Sequence, residues 1–475
     1  MVKRECIVLR RTVLALCISA SFTANAKGLS PYLPLNIAPE VELQLQKLIA
    51  ITGQTPLAKP YKASELLLRL PEIRESHPLL YSRLSGYLSR YTKKVAITHR
   101  GIALSTSDDN KRTLENNRGI EHQTRVEISG AGHAFFSPYF YVAGGGIYSD
   151  ESGRAATNTH IGLGTEFLQL DLGFREHWFS PFQDSAMLIS TNAENSPSLT
   201  FSNSTPIGGW DFRYEAFYSE LKKVAGIVKD GVAERGRPKL TGLHISASPL
   251  ESWSVGLSRT YLYGGGQREQ SLQNAFLTWT APAQLGQKGA FDNGDEGYQQ
   301  TAVSTKFHNN WLTPISIYAE FATAESRDEL GSRYTANARS VGFFMPVLFD
   351  NISFRYEYTD RDAGWYQSSF YQKGFSNDND ILGHWSADEF GTRFAPGAKT
   401  HHLLLDWELI NNQLMALRVS GQEVDQLTER RIEDTYQVQA RYSFANQYGF
   451  WGVEGTYGKD AAGDDYHRVS AFFRW

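Results

Sequence analysis

The chain has 475 residues, with 47 basic and 51 acidic side chains and a net charge of −4. This balance argues against a nucleic-acid-binding protein, which would carry a basic patch and an excess of positive charge. Both cysteines, Cys6 and Cys17, lie near the start of the chain, so the remainder can form neither a disulfide framework nor a thiolate metal site.

The first 26 residues have the pattern of a secretory signal peptide. Four basic residues precede residue 12, residues 13–22 are largely apolar, and small residues at Ala24 and Ala26 predict cleavage before Lys27. Loss of four basic residues and one acidic residue leaves 43 basic and 50 acidic residues, a net charge of −7. A lipoprotein anchored at Cys17 is the alternative, and it is disfavoured because the bulky Leu16 stands where a small residue is normally needed.

Residues 27–94 predict a small helical segment. Apolar residues recur at helical spacing from Pro39 to Gly53, and again over residues 64–70 and 78–91. Proline in the first turn favours a helix start at Pro39. The position of this bundle stays open at this stage, because it could lie at the periplasmic mouth of the domain that follows or fill that domain as a plug.

Over residues 95–475 the apolar period changes to two, as in β-strands with one apolar and one polar face. In residues 436–444, for example, tyrosine, valine, alanine and phenylalanine alternate with glutamine, arginine and serine. A soluble β-sandwich would also alternate, but it rarely needs so many large aromatic side chains on one face. No apolar run approaches the roughly 20 residues of a membrane helix. The pattern favours an outer-membrane β-barrel, in which alternate side chains face lipid.

The length and the end of the chain support this prediction. Val469, Ala471, Phe473 and Trp475 alternate up to the last residue, and a final strand that ends in an aromatic residue resembles the recognition signal of barrels assembled into the outer membrane. At roughly 21 residues per strand and connection, the domain provides about 18 strands. We therefore predict an all-β membrane fold, an antiparallel barrel of about 18 strands preceded by a small periplasmic helical bundle.

One polar and aromatic block, residues 173–185, is dense enough to form a binding site. It contains Arg175, Glu176, His177 and Trp178, so planar hydrogen-bonding groups stand beside an aromatic face, as carbohydrate recognition requires. The alternative is a network of lumen-facing charges that pair with one another, because charged lumens are normal in barrels. On the chemistry of the block alone, the network is favoured.

A second block, residues 365–394, is typical of a long functional connection. Its aromatic and polar side chains could stack on a sugar or form hydrogen bonds with it. The candidate residues are Trp365, Tyr366, Tyr371, Asp378, Asp380, His384, Trp385, Asp388 and Glu389. The acidic side chains could instead chelate calcium, but their spacing misses the EF-hand pattern, so no metal site is predicted.

Parts of these blocks resemble the capsule-assembly Wzi family, namely residues 173–181, residues 185–193 and the turn at Leu382, Gly383 and His384. The resemblance covers most of the mature chain and implies an 18-stranded barrel with periplasmic helices. It also implies a lectin-like protein that holds secreted polysaccharide at the cell surface, without enzymatic activity and without a cofactor. The resemblance strengthens the prediction that the first block is functionally important, but it does not imply that any of its residues contacts the polysaccharide.

We therefore predict an outer-membrane protein that binds secreted capsular polysaccharide or exopolysaccharide and organises its attachment, in a capsule or a biofilm matrix. Its partners would be the polysaccharide, outer-membrane lipid and, during insertion, the barrel-assembly machinery; we expect a monomer and no nucleic acid. A substrate-specific channel is the alternative, because about 18 strands can leave a pore. A barrel hydrolase is the third hypothesis, but no Gly-x-Ser-x-Gly pattern nominates a nucleophile.

Overall fold

The structure is a computed structural model, and it describes residues 28–268, 270–271, 297–311, 313–327, 333–349, 351–390, 396–410, 412–425 and 432–475. The predicted signal peptide, residues 1–26, lies outside the described residues. The barrel has 18 antiparallel strands, as the sequence predicted. They are β1 (Val95–Ser107), β2 (Val126–Ser137), β3 (Phe140–Ser149), β4 (Gly153–Ala156 and Thr159–Gly164), β5 (Gln169–Phe174), β6 (Ser198–Ser202), β7 (Arg213–Glu220), β8 (Lys239–Leu250), β9 (Trp253–Tyr263), β10 (Tyr298–Asn309), β11 (Ile315–Arg327), β12 (Arg333–Phe349), β13 (Ile352–Arg361), β14 (Ala398–Ile410), β15 (Gln413–Val424), β16 (Thr435–Asn446), β17 (Gly449–Lys459) and β18 (Asp465–Arg474).

The sheet closes because its first and last strands pair. In the register of β1 and β18, Gly101 lies opposite Arg474 and Ser107 lies opposite Arg468. Closure is required in a bilayer, since the hydrocarbon offers no water to satisfy the backbone groups of a free strand edge.

The two rims of the barrel differ in the length of their connections. On the rim where β1 begins and β18 ends, residues 138–139, 251–252 and 447–448 each join neighbouring strands. The opposite rim carries longer connections, among them residues 108–125 and 175–197 and the one between β13 and β14. Barrels of this kind have short periplasmic turns and longer extracellular loops. The rim with the chain ends is therefore periplasmic.

The predicted period of two is confirmed along the barrel wall. On β16, Tyr436 and Phe444 are exposed on the outer face, whereas Gln437, Gln439 and Arg441 line the interior. The outer side chains meet lipid, and the inner ones supply the polar lumen that makes the mean hydropathy of the chain negative, at −0.39.

The helical segment forms a bundle at the periplasmic rim. Its apolar side chains share one core, in which Leu45, Leu48 and Leu84 have no exposed surface. No helix among the described residues is both long and apolar enough to cross a membrane. The helices are α1 (Pro39–Ile51), α2 (Ala63–Arg69) and α3 (Pro78–Leu88), with 3₁₀ turns at Leu70–Ile73 and Ser89–Thr92.

Ion pairs and hydrogen bonds tie the bundle to the barrel. Glu408 on β14 accepts Lys47 of α1 at 2.9 Å and Arg83 of α3 at 3.0 Å. Deeper inside, the Gln46 amide of α1 donates to Gln183 at 2.8 Å, and Gln183 belongs to a segment that enters from the extracellular rim. The bundle therefore lies in the periplasmic mouth and reaches into the lumen.

A buried ion pair fixes α1 in this mouth. Glu40 is 2% exposed, and its carboxylate lies 3.3 Å from Arg441 on β16 and 3.6 Å from Arg474 on β18. The carboxylate is shielded from water and therefore depends on these two cations for compensation, whereas the arginines are partly exposed and Arg441 also lies 3.6 Å from Glu454.

We expect Glu40→Gln to loosen the bundle. The substitution removes the buried carboxylate beside two partly exposed arginines, of which Arg441 keeps Glu454 at 3.6 Å. We therefore expect a cost above the roughly 1 kcal/mol of an exposed pair and below the about 3–5 kcal/mol of a fully buried one. Thermal unfolding in detergent and the rate of proteolysis within residues 28–94 measure the effect. The matched control is Glu72→Gln, which removes an exposed pair with Arg69 and should change stability by about 1 kcal/mol or less. Equal behaviour of the two variants would contradict the role given to Glu40.

Candidate functional site

The first candidate block begins where the chain leaves the barrel wall. β5 ends at Phe174, and the preceding Gly173 has a φ of +139°. A Cβ at this position would collide with the carbonyl of Thr159 and the backbone of His160 on β4. Glycine therefore permits the bend that sends residues 175–197 into the lumen.

Two residues of this block, Arg175 and His177, belong to a buried charge network. The Arg175 guanidinium forms an ion pair with Glu215 on β7, lies 3.5 Å from Asp171 and stacks 3.9 Å from the centre of the Tyr32 ring. His177 Nδ1 donates to the other oxygen of Glu215 at 2.6 Å. This is the lumen network that the chemistry of the block favoured. With Arg175 fully buried and His177 5% exposed, their contact with a polymer stays a prediction.

The other two residues, Glu176 and Trp178, hold the block against other parts of the chain. Glu176 accepts the Nε–H of Arg118 at 2.6 Å and the backbone N–H of Leu35 at 3.2 Å. The Lys59 ammonium lies 4.1 Å from the centre of the Trp178 ring. Both residues are less than 5% exposed, so they join the N-terminal segment to an extracellular connection.

The aromatic residues of the second block form an apolar core with the first. Trp365 and Tyr366 have no exposed surface and Tyr371 is 3% exposed. The Tyr366 hydroxyl donates to the carbonyl of Met187 at 2.6 Å and accepts the backbone N–H of His384 at 2.6 Å. Burial lowers the pKa of His384 to about 4, so its ring is neutral at physiological pH. These aromatic side chains pack the two blocks together into one unit, which we call the plug.

Polar contacts complete the junction between the two blocks. The Trp385 indole N–H donates to Asp184 at 3.0 Å. Asp388 accepts the backbone N–H of Ile381 at 2.7 Å and the side-chain amide of Asn192. The two blocks, about 200 residues apart in the chain, therefore form one structure inside the extracellular half of the lumen.

The part of the second block that reaches the surface is a small hairpin. Its strands are Ser376–Asn377 and Asp380–Ile381, and its tip residues Asp378 and Asn379 have φ values of +54° and +83°. The Asp378 side chain is 54% exposed, and its carboxylate lies 2.7 Å from the Lys222 ammonium. The hairpin thus presents polar groups outward.

Asp380 lies at the base of the hairpin, against Gly119. Burial, with a further contribution from the neighbouring carboxylate of Asp378, raises the pKa of Asp380 to about 7. This carboxyl group is therefore partly protonated near neutral pH. The side chain of Glu389, the last candidate of the block, lies outside the described residues.

A cavity of about 420 Å³ remains between the plug, the helical bundle and the wall formed by β14–β18, β1 and β2. Its lining mixes both signs of charge with amides, and most of its charged groups already contact a group of opposite sign. The charged residues that line it include Glu115, Asp184, Arg418, Arg441, Glu454 and Arg468.

Several residues that shape the site were not candidates on sequence grounds. Arg441 could have been found, because it holds a lumen-facing position in the period-two pattern of β16. No sequence pattern marks Arg118 or Lys222 as a site residue, because their partners Glu176 and Asp378 are far away in the chain. Among the described residues, no group of three or more His, Asp or Glu side chains is arranged to hold a metal ion.

A family model matches this architecture. The model of the capsule assembly protein Wzi family aligns with residues 96–459, from the first residues of β1 to the end of β17. No protein of curated annotation matches the chain in a direct sequence comparison.

The chain also matches solved structures. Wzi of Escherichia coli, described as a carbohydrate-binding β-barrel of the outer membrane involved in group 1 capsule assembly, matches with a TM-score of 0.66 and 15% identity, over 94% of this chain and 99% of that one. An anion-selective porin of Comamonas acidovorans matches with a TM-score of 0.42 and 10% identity, over 80% and 99% of the two chains. OpdQ of Pseudomonas aeruginosa matches with a TM-score of 0.47 and 13% identity, over 80% and 97%.

We expect Arg175→Met to destabilise the plug. The substitution leaves Glu215 and Asp171 without their buried cation, and removal of one partner from such a network costs about 3–5 kcal/mol. Thermal unfolding followed by tryptophan fluorescence measures the loss. Arg154→Met is the matched control, because Arg154 is exposed near the start of β4. This control should unfold at the same temperature as the parent protein. A network that contributes nothing would give the same transition for both variants.

Proposed function

Because the chain belongs to the capsule assembly protein Wzi family, we propose that it binds secreted capsular polysaccharide or exopolysaccharide and holds it at the cell surface. The chain is an outer-membrane β-barrel. Its Escherichia coli relative is described as carbohydrate-binding, and the proposal extends that chemistry to this chain. The proposed role is binding, with no catalytic step and no cofactor.

The observation that supports the proposal beyond family membership is that the two blocks pack together inside the extracellular half of the barrel. A polymer meets a surface there instead of an opening. That surface exposes the side chains of Gln372, Lys373, Asp378 and Asn379. Amide, ammonium and carboxylate groups together offer both donors and acceptors to sugar hydroxyls. We propose this polar tip, residues 372–379, as the place where the polysaccharide is held.

The buried candidates would form the base of that surface. Tyr366 and Trp385 connect the second block to the first through hydrogen bonds of 2.6 and 3.0 Å. A rigid base reduces the conformational entropy that a loop loses when it binds a ligand. Arg175 would stabilise the base from the barrel wall, so the two blocks would serve binding without touching the polymer.

The charges near the polar tip have mixed sign. The Lys222 ammonium lies 2.5 Å from Glu194 and 2.7 Å from Asp378, and Lys373 adds an exposed cation. We therefore propose that hydrogen-bond geometry decides which polysaccharide binds, more than attraction to an acidic polymer. Binding would then depend only weakly on salt, which screens exposed charges.

Two further proposals concern the partners of the barrel. We propose that the barrel-assembly machinery engages β18, whose aromatic end is Trp475, during insertion. We also propose a monomer, because the closed barrel has no free strand edge to offer a second copy.

We expect the double variant Lys373→Ala/Asp378→Ala to weaken polysaccharide binding at least about tenfold, since hydrogen bonds to charged groups contribute roughly 1.5–3 kcal/mol each. The measurement is titration of the purified, detergent-solubilised barrel with surface polysaccharide from its host, and dextran serves as the unrelated polymer. Thermal unfolding should change only slightly, because both side chains are exposed and the surface pair of Asp378 with Lys222 contributes about 1 kcal/mol or less.

The matched control is Lys111→Ala/Glu151→Ala, which removes one exposed cation and one exposed anion from other extracellular connections. This control should bind like the parent protein. If both double variants bind like the parent, the polar tip is not the contact surface. If the folded parent barrel binds neither polymer, the proposed function itself is wrong.

A further inference from the structure

One side of the cavity is a compact polar patch on three neighbouring strands. Its members are inward side chains that all line the cavity, and in the strand registers each member on β17 lies opposite one on β16 and one on β18. With strands about 4.8 Å apart and a rise of about 3.3 Å per residue, the patch covers about 10 Å by 7 Å. We call it the lumen patch, and it consists of Gln439 and Arg441 on β16, Thr456 and Glu454 on β17, and Arg468 and Ser470 on β18.

The wall next to the lumen patch is built from small side chains. Ser470 lies opposite Ser105 on β1, and the next inward positions of β1 are Ala103 and Gly101. Gly101 in turn lies opposite Ser129 on β2. All of these residues line the cavity, and none is larger than serine. The wall therefore leaves space beside the patch, and the volume of about 420 Å³ falls in the roughly 300–1,000 Å³ of small-molecule pockets.

Two members of the lumen patch have polar groups that the described part of the protein does not use. The Gln439 amide and the Thr456 hydroxyl form no hydrogen bond with another described residue. Both residues are half-buried and border the cavity. Inward polar groups of a folded protein are normally paired with protein or with water. These two groups are therefore available to whatever occupies the cavity.

Unpaired charges of both signs also border the cavity. Asp406, on the inner face of β14, is 5% exposed, and no described cation lies within 4.0 Å of its carboxylate. Arg468 donates to Ser105 Oγ at 2.9 Å and to the backbone carbonyl of His122, and no described carboxylate lies within 4.0 Å of it. The cavity thus offers a carboxylate that accepts hydrogen bonds and a guanidinium that donates them.

This combination selects the chemical class of the occupant. An anion would be repelled by Asp406, and a cation would be repelled by Arg441 and Arg468. A hydroxyl group both donates and accepts, so a neutral ligand rich in hydroxyl groups can satisfy the carboxylate, the guanidinium, the amide and the threonine together. A short saccharide has this chemistry, and its size matches the area of the lumen patch.

We propose that the cavity is a second saccharide site, in which the lumen patch binds a short neutral saccharide. Asp406 and Thr456 accept hydrogen bonds from its hydroxyl groups, and Gln439 and Arg468 donate to them. The inference rests on the proposed function, because the saccharide is taken to be the end of the polysaccharide that the polar tip holds. None of residues 372–379 lines the cavity, so the two sites are separate.

The test is isothermal titration of the purified, detergent-solubilised barrel with short fragments of the host's surface polysaccharide. The fragments are made by partial acid hydrolysis, and any uronic acid carboxyl group is then reduced to the alcohol. We expect the parent protein to bind these neutral fragments more tightly than the same fragments before reduction. The variant Lys373→Ala/Asp378→Ala, which alters only the polar tip, should bind them like the parent.

Two variants alter the cavity in different ways. Gln439→Leu/Thr456→Val should weaken fragment binding about tenfold, because two hydrogen bonds to the ligand are lost, while thermal unfolding stays in place because no hydrogen bond within the protein is broken. The matched control makes the same two changes at outward positions, Thr106→Val/Gln413→Leu. Ala103→Phe fills the cavity and should abolish binding, whereas Leu104→Phe, on the lipid-facing side of β1, should not.

The outcomes separate this inference from the proposed function. The second site is overturned if the parent binds the whole polysaccharide but not the neutral fragments. It is also overturned if both cavity variants bind the fragments like their controls, or if the unreduced acidic fragments bind more tightly. If the folded parent binds neither the polysaccharide nor its fragments, the proposed function is wrong and the second site with it.

Discussion

A closed barrel of 18 strands encloses a lumen that the side chains of its wall cannot fill, since barrels fill themselves in this way only up to about eight strands. Segments that enter from both rims of the barrel occupy part of this lumen. The helical bundle enters from the periplasmic rim and the two blocks enter from the extracellular rim. They meet at Gln183, whose side-chain oxygen accepts Gln46 and Lys59, each at 2.8 Å. Between these segments and the wall, the described residues leave a cavity of about 420 Å³.

Filling the lumen takes many charged groups out of water, and each then needs a partner of opposite charge. Arg175 with Glu215, Arg118 with Glu176 and Glu40 with Arg441 meet this need. The most conspicuous chemistry in the sequence is therefore used inside the molecule. The surface that we propose to meet a polymer consists of less conspicuous side chains of the polar tip, and its shape depends on the buried network beneath it.

The sequence predicted the all-β membrane class, the helices and about 18 strands, because a lipid-facing strand must alternate and a helix must show its own apolar period. It could not show which connections fold inward. The hydrogen bond from Trp385 to Asp184 joins residues 201 positions apart, and no local pattern encodes such a contact. Arg175 and Trp178 could be selected as candidates from the sequence. Whether such a residue supports the site or contacts a ligand depends on whether it is buried, and burial is decided only when the lumen is assembled.

The central claim is that the segments inside the lumen support a binding surface and that the lumen does not act as a channel. Conductance of the purified barrel in a planar lipid bilayer tests this most directly, with a general porin as the positive control for insertion. The account predicts inserted protein without steady conductance steps, because the bundle and the two blocks close the lumen from both rims. Stable open-channel conductance in the parent protein would contradict the account and would favour a substrate-specific channel.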